Sequence, residues 1–249
     1  MKMFKIILSK EENYIGSALK LKKESLIDTE IIYMEEIIAN KQINIFSRND
    51  IVYFLSNNNL IASVIKYIEP TGCYIINKNF LLSNYKKDEV QNLLKNNGIQ
   101  VPNIILYNKL EEDKFPVFCK ENRHTGITFQ AYNRFTIDEF FSKFDVKKFY
   151  LEEVIQSNIS EPYKIYFVFG KVFGKSNETR INYKIKEICH KISNSLKNIE
   201  AFSIDVIKSL DSYYVIDLNL ASGFYLSDKG RKEFLNTIKD IENKVDIAV

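Results

Sequence analysis

Over the first eighty positions, short apolar runs alternate with stretches of helical spacing. "FKIILS" (Phe4–Ser9) predicts a first strand and Tyr14–Lys23 a helix. "TEIIYM" and "INIFS" predict two short strands, and "DIVYFLS" (Asp50–Ser56) a stronger one. Asn57, Asn58 and Asn59 break it. Leu60, Val64, Ile65 and Ile68 then share one helical face until Pro70 and Gly72 stop the helix. "CYIIN" reads as a further strand. Strands alternating with helices predict a small α/β domain with a largely parallel sheet, ending near Leu82.

The pattern then changes. Val90, Leu93 and Leu94 make an amphipathic stripe that Gly98 ends, and Pro102 opens an extended segment into "IILYN". From Phe115 the chain reads as strands: "FPVFCKE", "ITFQAYN" and "FYLEEVIQ", with "TIDEFFSKF" as a helix between the last two. "YKIYFVFGKVFGK" is a hairpin turning at Gly170–Lys171. Ile185, Ile188, Cys189, Ile192 and Leu196 line a helix, "AFSIDVIKSLDSYYVIDLNL" is a second hairpin, and a helix from about Lys229 to Val245 closes the chain.

At 249 residues and 45% hydrophobic, the chain can bury a sizeable core in one large domain or in two to three packed lobes. A formal net charge of +3, with Lys and Glu interleaved, argues against a nucleic-acid partner. Cys73, Cys119 and Cys189 lie far apart, and with only His124 and His190 beside them they lack zinc-ligand spacing. An odd cysteine count favours a reducing compartment. No apolar run reaches membrane-spanning length and the first residues lack a signal-peptide core, so the expectation is a cytoplasmic protein with no membrane partner.

Candidate chemistry sits in the strand-rich half. Asp217 and Asn219 share a face of "YVIDLNL", and Asp205 lies in the preceding "FSIDVIK". An even-numbered tight loop would pair Asp205 with Ile216 and send the two aspartates to opposite faces; a three-residue loop, Leu210 to Ser212, would pair Asp205 with Asp217. Two carboxylates and an amide oxygen on one face would suit Mg²⁺; the alternative is an edge hairpin with polar residues in water. Lys120 ends the apolar "FPVFCK", where it either snorkels outward or reaches a phosphate. "RHTGITFQ" supplies a loop with one glycine, Gly126, that could close over phosphates or simply turn a hairpin. Glu152–Glu153 end an apolar strand, the usual place of solvated residues, and Arg180 with Asn182 in "ETRIN" could clamp a phosphate or carboxylate.

Taken in order, Lys87 before an amphipathic helix, "NNGIQVP", "FPVFCK", a short Gly loop, "YLEEVI", a hairpin, "RIN" and "IDV…VIDLN" resemble the ATP-grasp superfamily of carboxylate–amine ligases. The similarity runs from about Asn79 to Phe224 and is greatest to the branch of ribosomal-protein glutamate ligases, lysine-biosynthesis ligases and bacterial glutathione synthetase. The resemblance implies an α+β ATP-grasp fold: an N-terminal α/β domain over 1–82, and an ATP-grasp domain over 83–249 with a nucleotide-clasping lobe at about 113–155 and a metal-binding lobe at about 156–249. It implies nucleotide contacts from Lys87, Lys120, Gly126, Glu152, Glu153 and Ile155, the hinge acting largely through backbone groups. It implies Mg²⁺, for which Mn²⁺ can substitute, on Asp205, Asp217 and Asn219. Arg180 and Asn182 fall near the γ-phosphate, and Lys164 stands where many relatives carry Arg.

The implied reaction activates a carboxylate with ATP as an acyl phosphate and passes it to an amine, giving an amide. The two substrates are small molecules or peptides, and a homo-oligomer is left open. Such chemistry asks for positioning and charge neutralisation more than a protein nucleophile. Several positions depart from the pattern. Gly126 is the sole glycine of its loop, Tyr183 runs straight from "R-x-N" into a helix, Ser222 replaces an expected proline, and Asp217 replaces the commoner Glu. They motivate an alternative, an ATP-binding grasp-like protein with little turnover that serves as a scaffold or regulatory partner.

Overall fold

A computed structural model of the protein describes residues 3–41, 43–122, 127–157, 161–175, 181–210, 212–220 and 228–245, with side chains of the last helix through residue 242. The chain divides into two compact units. The first comprises Met1–Asn84, Tyr163–Ile204 and Leu218–Val249; the second comprises Tyr85–Pro162 and Asp205–Asp217.

In the first unit, β1 (Phe4–Leu8), β2 (Thr29–Tyr33), β3 (Ile51–Phe54) and β4 (Tyr74–Ile75) form a parallel sheet in the order β2-β1-β3-β4. All residues of β1 and β3 are buried, as expected of parallel strands covered on both faces. Phe4, Ile6, Leu8, Ile51 and Tyr53 face one cluster, with Ala18 and Leu21 of α1 (Ile15–Glu24) and Phe234, Leu235 and Ile238 of α8 (Asp228–Val245). Ile7, Val52 and Phe54 face the other, under α2 (Met34–Asn40) and α3 (Ile61–Ile68). The alternation of odd and even positions explains the split.

One expectation fails here. "INIFS" forms a short 3₁₀ turn over Ile43–Ile45 rather than a strand. "TEIIYM" forms β2 as expected through Tyr33, and Met34 opens α2, whose first turn carries Glu35 and Glu36 where the helix dipole favours acids.

Lys5 is the exception in β1. It is 2% exposed, and its Nζ lies 2.7 Å from Glu30 Oε2 and 3.9 Å from Asp50 Oδ2. Asp50 is also held by the Met3 and Ser47 backbone N–H groups, so it keeps partners if the lysine is lost. Lys5→Met should therefore cost only about 1–2 kcal/mol in urea denaturation, since no buried charge is left bare.

Also in the first unit, Asn77 adopts a left-handed conformation (φ 61°) just before α4 (Lys78–Leu81). Its Oδ1 accepts from the Glu200 and Ala201 N–H groups at 2.7 and 3.0 Å, and its Nδ2 donates to Ala201 O at 2.6 Å. The Glu200 carboxylate in turn receives the Asn77 N–H and the Tyr74 hydroxyl. Burial, then the bond to Glu200, raises the pKa of that phenol. β9 (Tyr163–Val168) and β10 (Lys171–Gly174) form the expected hairpin, turning at Phe169–Gly170 rather than at Gly170–Lys171, with these two residues at φ 45° and 86°, as a primed two-residue turn requires. They belong to a sheet of order β10-β9-β11-β12, with β11 at Ala201–Ser209 and β12 at Ser212–Asn219. α7 (Tyr183–Ser195) buries Ile185, Cys189 and Ile192.

In the second unit, β5 (Ile104–Ile105), β6 (Val117–Glu121), β7 (Thr128–Ala131) and β8 (Phe149–Glu153) form an antiparallel sheet of order β5-β8-β6-β7. One face carries Val117, Cys119, Ala131, Phe149 and Leu151. They pack with Ile137, Phe140 and Phe141 of α6 (Arg134–Lys143). α5 (Lys87–Asn96) begins where the Lys87 and Asp88 N–H groups meet the Asn122 carbonyl and side chain. The tip of the β11–β12 hairpin belongs to this unit, fixed by Val215 N–H to Gln100 O (2.9 Å) and Ser157 Oγ to Lys208 O (2.8 Å).

Candidate functional site

The second face of the antiparallel sheet follows from its register. Phe118 pairs with Glu152 and Lys120 with Tyr150 across β6 and β8; Phe118 pairs with Gln130 and Lys120 with Thr128 across β6 and β7. Cross-strand partners share a face, so Phe118, Lys120, Thr128, Tyr150 and Glu152 all point away from the α6 core. A cleft of about 260 Å³ opens on this side, lined by Lys87, Pro102, Phe118, Lys120, Thr128, Glu152, Glu153, Ile155, Ile207, Ile216 and Asp217, all within the second unit. Whole ligand pockets run to roughly 300–1,000 Å³, so this one suits part of a large ligand.

Its polar groups are already ordered. Lys120 Nζ donates to Ile216 O at 2.9 Å and forms an ion pair with the Glu152 carboxylate. Glu152 is 1% exposed, and its Oε2 has no hydrogen-bond partner among the described residues. Burial lifts this carboxyl above the ordinary range, Lys120 and the nearby Gln91 amide pull it back, and Asp217 adds to the lift. Lys87 Nζ meets Asp217 Oδ1 at 3.2 Å. Glu153 turns its Oε1 to the Asn103 N–H and Nδ2, both at 2.8 Å, and its own N–H donates to Asn103 O at 3.0 Å, so its carboxylate is committed beside the cleft. The buried Tyr150 phenol is held protonated, first by burial and then by the charges of Glu152, Asp217 and Asp88. Phe118, Ile155, Ile207 and Ile216 supply apolar wall.

Of the residues singled out in the sequence, Lys87, Lys120, Glu152, Glu153, Ile155 and Asp217 therefore line one cleft. Gly126 and Arg180 lie outside the described residues. Lys164 sits half-buried on β9 in the first unit, its carbonyl accepting the Lys175 N–H at 3.0 Å. Asn182, also in the first unit, caps α7 by accepting the Ile185 N–H at 3.0 Å. Asp205 lies on β11 in the second unit; Asn219 ends β12 in the first, its Oδ1 buried without a partner among the described residues.

The strand limits leave only Leu210 and residue 211 between β11 and β12. In a regular ladder that even-numbered connection sets Asp205 opposite Ile216; one extra residue accommodated as a bulge sets it opposite Asp217. Among the described residues no three His, Cys, Asp or Glu side chains cluster as a metal site.

Sequence reading missed Phe118, Thr128, Tyr150, Ile207 and Ile216. Phe118 was within reach, since it stands two residues before Lys120 on a strand; the others depend on register.

No family model and no curated protein sequence matches the chain. Among the described residues, no helix is long and apolar enough to cross a membrane. Solved structures match it closely in shape. D-alanine–D-alanine ligase from Bacillus anthracis, in complex with ATP, aligns over 98% of both chains at 14% identity with a TM-score of 0.74. D-cycloserine synthetase DcsG covers 96% of this chain and 99% of its own at 10% identity and a TM-score of 0.70. The ATP-grasp ligase PsnB, bound to a precursor peptide and AMPPNP, covers 96% and 97% at 12% identity and a TM-score of 0.69. With likeness of this extent running nearly end to end, the chain is an α+β protein with the ATP-grasp fold.

Proposed function

We propose that this protein is an ATP- and Mg²⁺-dependent ligase that activates a carboxylate as an acyl phosphate and joins it to an amine. The observation that carries the reading is the convergence of Lys87, Lys120, Glu152 and Asp217 on one cleft with an apolar wall, on a fold whose solved relatives include complexes with ATP, AMPPNP and ADP. The donor set fits a nucleotide. Two lysines suit phosphates, Phe118, Ile155, Ile207 and Ile216 suit the faces of a purine, and the unpartnered Glu152 Oε2 can accept from an exocyclic amine.

Lys120, fixed by two partners, and Lys87 would hold the phosphates. Glu153 and Ile155 would meet the base edge through backbone groups, with Gly126 closing over the phosphates. Asp205 and Asp217, with Asn219, would hold Mg²⁺; a cation of this kind needs only one or two carboxylates beside phosphate oxygens and water, so a three-acid cluster is not required. Bound Mg²⁺ would neutralise charge on the transferring phosphoryl group. Lys164, Arg180 and Asn182 would serve the acyl-phosphate step. The substrates belong to the class of small carboxylates, amines and peptides.

The test is ADP release against a panel of carboxylate and amine pairs. Asp217→Asn should lower turnover by at least about a hundredfold while leaving the thermal midpoint within a few degrees. Full activity in that variant would remove Asp217 from the site. One observation favours a second reading, binding without turnover: the Asn182 side-chain Oδ1 is committed to capping α7, and Tyr183 follows it directly into the helix. Tight Mg·ATP binding with no ADP release in any pairing would select that reading.

A further inference from the structure

We propose that Lys87 is an internal counter-ion that keeps Asp217 from binding a divalent cation alone, so that metal enters this cleft only once phosphate has drawn the lysine away. The inference rests on the reading of the cleft as a nucleotide site and adds a gating contact to it. Lys87 Nζ stands 3.2 Å from Asp217 Oδ1, a long hydrogen bond between opposite charges at the place a cation would claim.

The two lysines of the cleft differ in what can move. Lys120 is tied to Ile216 O and to the buried Glu152, so it cannot swing toward or away from Asp217 without stranding a buried carboxylate. Lys87 is anchored at its backbone, where its N–H donates to Asn122 O at 3.2 Å and α5 begins; its ammonium reaches Asp217 on a flexible stem, 21% exposed. A dication and an ammonium at one carboxylate oxygen repel each other in a partly desolvated cleft. A triphosphate offers Lys87 a more highly charged partner and takes the ammonium off Asp217 Oδ1 in the same movement.

Mn²⁺ alone is the probe, titrated into the nucleotide-free protein and followed by loss of the free-ion electron paramagnetic resonance signal. Lys87→Met should bind Mn²⁺ about two- to fivefold more tightly than the wild type, the factor expected from removing one partly exposed ion pair. Lys87→Arg should stay at the wild-type level, and Lys87→Met with Asp217→Asn should lose the gain. Mn²⁺ binding no tighter in Lys87→Met than in the wild type, including none in either, would overturn the proposal, as would a gain that survives Asp217→Asn. Calorimetry with AMPPNP and Mn²⁺ separates the two ideas. A wild type that fails to bind that pair would refute the nucleotide reading, whereas binding there with no Lys87→Met effect refutes only the gate.

Discussion

Lys120→Met is expected to cost about 3–5 kcal/mol of folding stability at neutral pH, because it leaves the Glu152 carboxylate buried without its cation. Glu152 cannot escape to water, since it sits mid-face between Ile104 and Phe118 in the ladder. Its carboxyl is already lifted by burial, and without Lys120 it rises further. The sign of the pH dependence follows. A carboxyl whose folded pKa lies above its unfolded value holds a proton in the fold that the open chain has released. The variant's deficit relative to wild type should therefore be smallest below the ordinary carboxylate range and should grow as pH rises through the lifted value.

Urea denaturation at about pH 3, below the ordinary carboxylate range, and at about pH 8 would show it. Adding Glu152→Gln should recover most of the loss at the higher pH. A deficit that is flat with pH and untouched by the second substitution would mean that Lys120 acts by packing alone.

Asn77→Ala should cost about 3–4 kcal/mol. The change removes one acceptor shared by two N–H groups and one donor to a carbonyl, leaving the backbone of residues 200–201 unpaired in a buried place. It also puts a residue with little tolerance for positive φ at 61°. Asn77→Gly separates the two effects, since glycine accepts that conformation. It should recover roughly 1 kcal/mol, the strain, and no more. Equal losses in both variants would place the whole cost in the hydrogen bonds.

These two residues show how far the sequence carries. Alternation alone put Lys120 at the end of a buried run and raised its question correctly. Glu152 read as a solvated strand end because nothing local shows that β8 is flanked by β5 and β6; pairing register is a non-local property. Asn77 looked like the polar end of "CYIIN", and its partners lie more than 120 positions away. The strands and helices of strong period were legible, including the closing helix from 228 to 245. α2 was not, because in seven residues a helical period is hard to tell from an apolar strand. The cleft's polar residues stood in the sequence as an order of weak motifs, while its walls at Ile207 and Ile216 became visible only through the hairpin's place in the second unit.

The arrangement of the first unit also dictates when it can form. Phe4 and Tyr53, from strands made early, are covered by Phe234, with ring centroids 6.0 and 5.0 Å away, and the Tyr53 hydroxyl donates to Leu220 O. On a ribosome releasing the chain from its N-terminus, the first sheet would wait with one aromatic face uncovered until α8 emerged. A nascent chain halted near residue 84 would present that face to its neighbours, a natural substrate for chaperones.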